Sequence, residues 1–146
     1  MSRKSIYLAE LIFNLNRFVD KDITSRPTEI VHAIPENCHI AQGITGEYTA
    51  VSALYAEPEV LTSFAAMYSK IELENYEEIV NELAADFLNL HNGLFLVNLS
   101  EAENVESSLT PPITGDKGET IELYNDTYVM PVDFNFGTVN FILSEK

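Results

Sequence analysis

The chain has 146 residues, within the range of a single domain with its own core. Hydrophobic residues make up 46% and charged residues 21%, a balance that excludes intrinsic disorder. Eight Lys and Arg stand against 23 Asp and Glu, a formal net charge of −15. This argues against nucleic acid, which binds through cations that neutralise phosphates, and against an anionic membrane surface.

Residues 5–19 are expected to form a helix, because Leu8, Leu11, Ile12, Leu15, Phe18 and Val19 recur at spacings of three and four. Arg26-Pro27 ends that pattern, since proline holds its predecessor in extended geometry. Three extended segments follow, at 29–34, 38–44 and 48–56, separated by the turn-like clusters Pro35-Glu36-Asn37 and Thr45-Gly46-Glu47. Two hairpins in succession predict an antiparallel meander. Glu57-Pro58 opens a second helix over residues 57–68, with proline at a first-turn position where its missing N–H costs little. A third helix is expected from Asn75, a capping residue with Glu78 three positions on, to about 96–99 despite Gly93. Its apolar face reads as Ile79, Leu83, Phe87, Leu90 and Leu94. The remainder is β: a short segment at 103–109, then strands at 120–124, 127–134 and 137–143. The fold class is α+β, an antiparallel or mixed β-sheet packed against long helices.

Cys38 is the only cysteine, which excludes an intramolecular disulfide and a cysteine-rich zinc site and favours a reducing compartment. The apolar run at the start is broken by Glu10 and Asn14, and no stretch approaches the roughly 20 apolar residues of a membrane span. A cytoplasmic protein is therefore expected, in which the N-x-S/T matches at Asn98 and Asn125 carry no sugar.

Glu82, Asp86, Asn89 and Gly93 are spaced by four, three and four, so they form one stripe on the third helix. The stripe lies about 90° from the centre of the expected apolar face, on the helix flank. A flank combines exposure with a rigid backbone, which suits a functional acid and amide. Gly93 costs about 1 kcal/mol relative to Ala in a helix, and close approach by another backbone is a reason to keep it. The bland alternative is a solvated helix surface.

Asp86-Phe87-Leu88-Asn89 followed by Gly93 resembles the E-x-x-N…G motif of the CheC/CheX/FliY family of chemotaxis phosphatases, and most closely its CheX-like branch. Ser108-Leu109-Thr110-Pro111 resembles the S-L-P run that follows the motif in that branch, and Gly43-Ile44-Thr45-Gly46-Glu47 resembles the strand–turn–strand that precedes the second helix. The resemblance spans most of the chain and implies one CheX-like domain over residues 1–146 with a CheC-like fold.

It further implies a protein phosphatase that hydrolyses the aspartyl-phosphate of a CheY-type response regulator. Asp86 and Asn89 would be catalytic, with Asn89 orienting the attacking water and Asp86 pairing with the receiver's lysine. Glu82 and Gly93 would contact the partner. No cofactor of its own is implied, because Mg²⁺ would come with the phosphorylated receiver, and a homodimer is possible.

The sequence departs from the motif in one respect: the matching acid is Asp86, one methylene shorter than Glu. Three readings stay open: Asp86 reaches less well, Glu82 one turn earlier takes its place, or the domain binds a receiver without hydrolysing it. A rival register, Glu78-Ile79-Val80-Asn81, sits near the helix start and misplaces the following Gly and Pro. In the first helix Glu10 and Asn14 are four apart, not three, so no second site is expected there. An α+β domain unrelated to signalling is the remaining alternative.

His32, His39 and His91 are too scattered to suggest a metal site. His91 lies about 160° around the helix from the acid and amide, which disfavours a role as base. Cys38 is read as structural.

Overall fold

A computed structural model describes residues 2–32, 40–115, 119 and 121–146. Helix α1 (Arg3–Phe18) is capped by the Ser2 side chain, which accepts from the Ser5 N–H. Strands β1 (Thr24–Ser25), β2 (Glu29–Val31), β3 (Ile40–Gly46) and β4 (Ala50–Tyr55) lead into α2 (Pro58–Ser69) and the long α3 (Glu78–Glu103). Strands β5 (Ser107–Leu109), β6 (Asp126–Phe134) and β7 (Gly137–Glu145) complete the described chain. The strands form one antiparallel sheet in the order β1-β6-β7-β4-β3-β5, with β2 also paired to β6. The α+β class expected from the sequence is the fold observed. No helix among the described residues is long and apolar enough to cross a membrane.

The three helices pack on one face of the sheet around Tyr7, Leu11, Ile44, Leu54, Phe64, Phe87, Phe95 and Phe141. A smaller cluster on the other face comprises Ala41, Val51, Ala53, Val129 and Ile142. Residues 120–124, expected as a strand, do not form one: 121–124 lie outside the strands, and 120 is outside the described residues. Every long ladder is already occupied, since β7 pairs with β4 and β6, and β6 is flanked by β7 and by β1 with β2. Ile121, Leu123 and Tyr124 instead cover the second cluster, and the Tyr124 N–H donates to Ser144 Oγ.

The expected meander is also corrected. β3 and β4 form a hairpin, but β2 pairs with β6 because the outer edge of β3 is taken by β5 and by a bridge from Ala41 to Ile113. The 33–37 and 38–39 parts of the sequence reading lie outside the described residues, as do Cys38 and His39.

Helix α3 departs from expectation at its start, its end and its buried face. It starts at Glu78 with Glu77 as the capping residue and no side-chain cap, so Asn75 is not the N-cap. It continues to Glu103, where Asn104 adopts a left-handed conformation (φ 56°) and its N–H donates to the Ser100 carbonyl. Its buried face runs through Val80, Ala84, Ala85, Phe87, Leu88, His91, Asn92, Phe95 and Leu99, while Ile79 is 39% exposed. The sequence pattern counted large aliphatics. The packed face instead uses small alanines where the helix nears its neighbours, rings where space remains, and two polar residues with internal partners.

His91 is one of those two. Its Nδ1 is 3.0 Å from Asn14 Nδ2 on α1, and its ring stacks on Phe87. Burial pushes its pKa from the ordinary 6.5 down to about 3. The unfolded chain therefore binds this proton near pH 6.5 and the folded one only near pH 3. The stability contributed by neutral His91 is complete above about pH 6.5 and is lost as pH falls toward 3. The His91 ring resonances are expected not to titrate between pH 8 and 5, and the loss of stability on acidification is expected to be shallower in His91→Gln.

Candidate functional site

The acid–amide stripe of α3 sits on its outward side. Asp86, Asn89 and Glu82 are exposed and Gly93 is half-buried. Because the buried residues of α3 centre near Phe95, the stripe lies roughly 120–180° from that centre, with Asn89 its nearest member, not on the 90° flank that the apolar pattern predicted. Asp86 and Asn89 are three residues apart on one continuous helix, which brings them to the same face.

Two residues that the sequence reading did not single out hold this pair. Tyr68, on α2, donates its hydroxyl to Asp86 Oδ2 at 2.6 Å. Burial, followed by this bond and the Asp86 charge, raises the Tyr68 pKa, so the phenol stays protonated and remains the donor. Gln42, in the middle of β3, donates from Nε2 to Asn89 Oδ1 at 2.6 Å and to the Thr110 carbonyl at 2.9 Å. Asn92, one turn below Asn89, donates to Gln42 Oε1 at 2.9 Å. Gln42 and Asn92 are fully buried. Nothing local marks either residue, since the partners of Gln42 are 47, 50 and 68 positions away in sequence.

The S-L-P-like run meets the same place. Ser107–Leu109 pairs with β3, the Thr110 N–H donates to the Gly43 carbonyl at 2.9 Å, and the Gly43 N–H donates to Thr110 Oγ1 at 3.0 Å. A Cβ on Gly43 would stand 3.0 Å from Thr110 Oγ1, so glycine makes room for this contact. Gly43 and Thr110, from two of the stretches that carried the sequence resemblance, thus bond each other beside Gln42, and Gln42 links them to Asn89 of the third.

The other candidates are placed differently. Asn81 of the rival register accepts from Tyr76 Oη at 2.7 Å, and Glu78 is the first residue of the helix. Asn14 is buried against His91, and Glu10 accepts from Asn98, so α1 presents no matching exposed pair. Among the described residues no group of three or more His, Cys, Asp or Glu is arranged to hold a metal ion. The apolar cavity lined by Ile40, Leu54, Leu61, Tyr76 and Asn81 lies between β3, β4, α2 and the start of α3 and does not include Asp86 or Asn89. The acid and amide therefore lie on an open helix face, where a macromolecular surface has access.

No family model matches the chain, and no curated protein matches it in sequence. Solved structures do. A chain of the CheX–CheY–BeF3–Mg²⁺ complex from Borrelia burgdorferi superposes at a TM-score of 0.81 and 13% identity, over 98% of this chain and 97% of the other. CheX from Vibrio vulnificus superposes at 0.77 and 14% identity, over 97% of each chain. A CheC-like superfamily protein from Shewanella sp. PV-4 superposes at 0.76 and 14% identity, over 100% and 99%. The chain has the fold of CheX and CheC-like proteins, end to end, as the sequence resemblance implied.

Gly93 is the one stripe residue whose expected reason is missing within the chain. Among the described residues, and apart from its own helix, no atom lies within 4 Å of where its Cβ would be, so no described backbone outside α3 approaches it. Gly93→Ala is expected to raise stability by about 0.5–1 kcal/mol, read as a higher urea midpoint at unchanged slope.

Proposed function

We propose that this chain is a CheX-like phosphatase that hydrolyses the aspartyl-phosphate of a CheY-type response regulator. The observation that carries the reading is the exposed Asp86–Asn89 pair on α3, with the Asn89 amide held from below by Gln42. The shared fold supports it, because one structure with that fold is a complex with CheY, BeF3 and Mg²⁺.

Phosphoryl transfer requires positioning and charge stabilisation more than covalent chemistry from the protein. An amide suits that work. Asn89 Oδ1 has two lone pairs, one of which takes the Gln42 N–H. The second accepts from a water in line with the phosphorus, while Nδ2 donates to a phosphoryl oxygen. Asp86 Oδ2 is occupied by Tyr68, and Oδ1 is left to meet the receiver's lysine. Mg²⁺ belongs to the receiver. Glu82 and the open space above Gly93 lie on the same face and form the docking surface around the pair. The encounter takes place in the cytoplasm.

The test is phosphate release from a phosphorylated receiver with and without the protein. Wild type is expected to accelerate release, and Asn89→Ala to lose about 10²-fold of the acceleration while still binding. A specific observation favours a second reading: Asp86 is short and already bonded to Tyr68. A wild-type protein that binds the phosphoreceiver without accelerating release would establish a binding module instead.

Charge sets a further expectation. Glu74, Glu77, Glu78, Glu82 and Asp86 are all exposed along the start of α3 and the loop before it, and no Lys or Arg occurs between Lys70 and Lys117. A phosphorylated receiver site is also anionic, so long-range repulsion slows the encounter. Raising salt to about 0.15 M, where screening acts over about 8 Å, is expected to leave association unchanged or to speed it. Association that weakens steeply with salt would contradict a repulsive encounter.

A further inference from the structure

Gln42 stands on the helix-facing side of β3, between Ile40 and Ile44, and is fully buried. A primary amide in that position costs several kcal/mol unless its donors and acceptors are met, on the order of the cost of burying any unpaired polar group. They are met, and in one orientation. The Thr110 carbonyl can only accept, so the nitrogen of Gln42 must face it, at 2.9 Å. The same nitrogen meets Asn89 Oδ1 at 2.6 Å, and Oε1 meets the Asn92 NH₂ at 2.9 Å. Turning the Gln42 amide over would set carbonyl oxygen against carbonyl oxygen at Thr110.

Thr110 in turn cannot move away. Its N–H and hydroxyl are both engaged with the Gly43 backbone, one residue along from Gln42. A fixed backbone carbonyl therefore determines which end of Gln42 faces α3, and Gln42 determines which end of Asn89 faces inward. One lone pair of the Asn89 carbonyl is thereby taken on the sheet side, the second is left for the attacking water, and the NH₂ is set outward.

We infer that Gln42 is a positioning residue that sets the polarity of the Asn89 amide, so that the NH₂ group is the half presented to the phosphoryl group. The inference rests on the phosphatase reading of Asn89 and deepens it. It assigns the outward donor as the contact to phosphoryl oxygen. It also gives Oδ1 a constant internal partner, which polarises the amide and strengthens the outward N–H as a donor. Gln42 touches neither water nor receiver and acts only through Asn89.

The experiment pairs receiver dephosphorylation kinetics with NMR of side-chain amides on the full chain. Gln42→Glu keeps the shape of the side chain but supplies at most one donor, so it cannot serve Asn89 and Thr110 together. It is expected to lower kcat by about 10–100-fold, the scale of a small misplacement, with KM for the phosphoreceiver changed less than about twofold. In the Asn89→Ala background the same change is expected to cost nothing further. An unchanged kcat, or losses that multiply in the double variant, would overturn the inference.

Should Gln42→Glu fail to fold, Gln42→Met removes both donors without a buried charge, and the same outcomes apply. In the wild-type spectrum the Gln42 Nε2 hydrogens are expected to exchange slowly with solvent and the Asn89 Nδ2 hydrogens rapidly. Asn89→Ala should remove the protection of one Gln42 hydrogen. If wild type does not accelerate phosphate release, the phosphatase reading fails while this exchange pattern still supports the clamp. Equal exchange at both amides would overturn the clamp itself.

Discussion

Helix α3 is held at one rotational setting by two aromatic anchors. Phe87 lies edge-on to Phe64, at 5.4 Å between ring centres, and also contacts Phe141 and Tyr68. Eight residues on, Phe95 lies edge-on to Tyr7 at 5.2 Å and to Tyr48. Each residue turns the helix by about 100°, so a shift of one position would carry these rings out of the core and bring acids or amides in. Burying an unpaired carboxylate costs far more than any alternative packing of the helix could offset. The exposure of Glu82, Asp86 and Asn89 follows from the ring packing on the opposite side.

Ring packing resists rotation, while hydrogen bonds between buried polar residues are directional and oppose sliding as well. The Asn14–His91 pair ties α3 to α1, and the Asn92–Gln42 pair ties it to β3. Gln42 is directly across from Ser52 in the β3–β4 ladder, and Ser52 bonds the Tyr7 hydroxyl at 2.5 Å. All six of these residues are fully buried. Each end of the seam meets a different element, so α1, α3 and the sheet have one mutual arrangement in which these bonds all form. The surface pair is thereby held by the interior of the protein.

The parts of this arrangement that are periodic were legible from the amino-acid order. The three helices, the β3–β4 hairpin and the β6–β7 hairpin follow from apolar spacing and turn residues, and the Asp86–Asn89–Gly93 stripe follows from helical repeat alone. The buried face of α3 was misread because His91 and Asn92 count as polar in any hydropathy pattern. They are core residues only because Asn14 and Gln42 are there to bond them. Strand pairing was legible where a short turn joins the strands and not where distant segments compete for an edge, as β2, β5 and residues 121–124 do. Gln42 and Tyr68 left no local signal, since their importance is a property of what the fold places beside them.

The charge pattern explains why a clamped amide matters on this surface in particular. The stretch from 71 to 116 has no Lys or Arg, so no cation of this chain stands in the stripe to attract a phosphoryl group. In the proposed reaction the group that meets phosphoryl oxygen must then be a neutral donor, and its contribution depends on direction more than on charge. A freely turning amide would present its carbonyl to the anion in part of its orientations, a repulsive contact in a surrounding that is already negative. Gln42 removes those orientations by engaging the carbonyl from below. Tyr68 acts comparably on Asp86, taking one carboxylate oxygen and so fixing the direction of the other. On this acidic face, the fold supplies orientation where a basic residue would have supplied attraction.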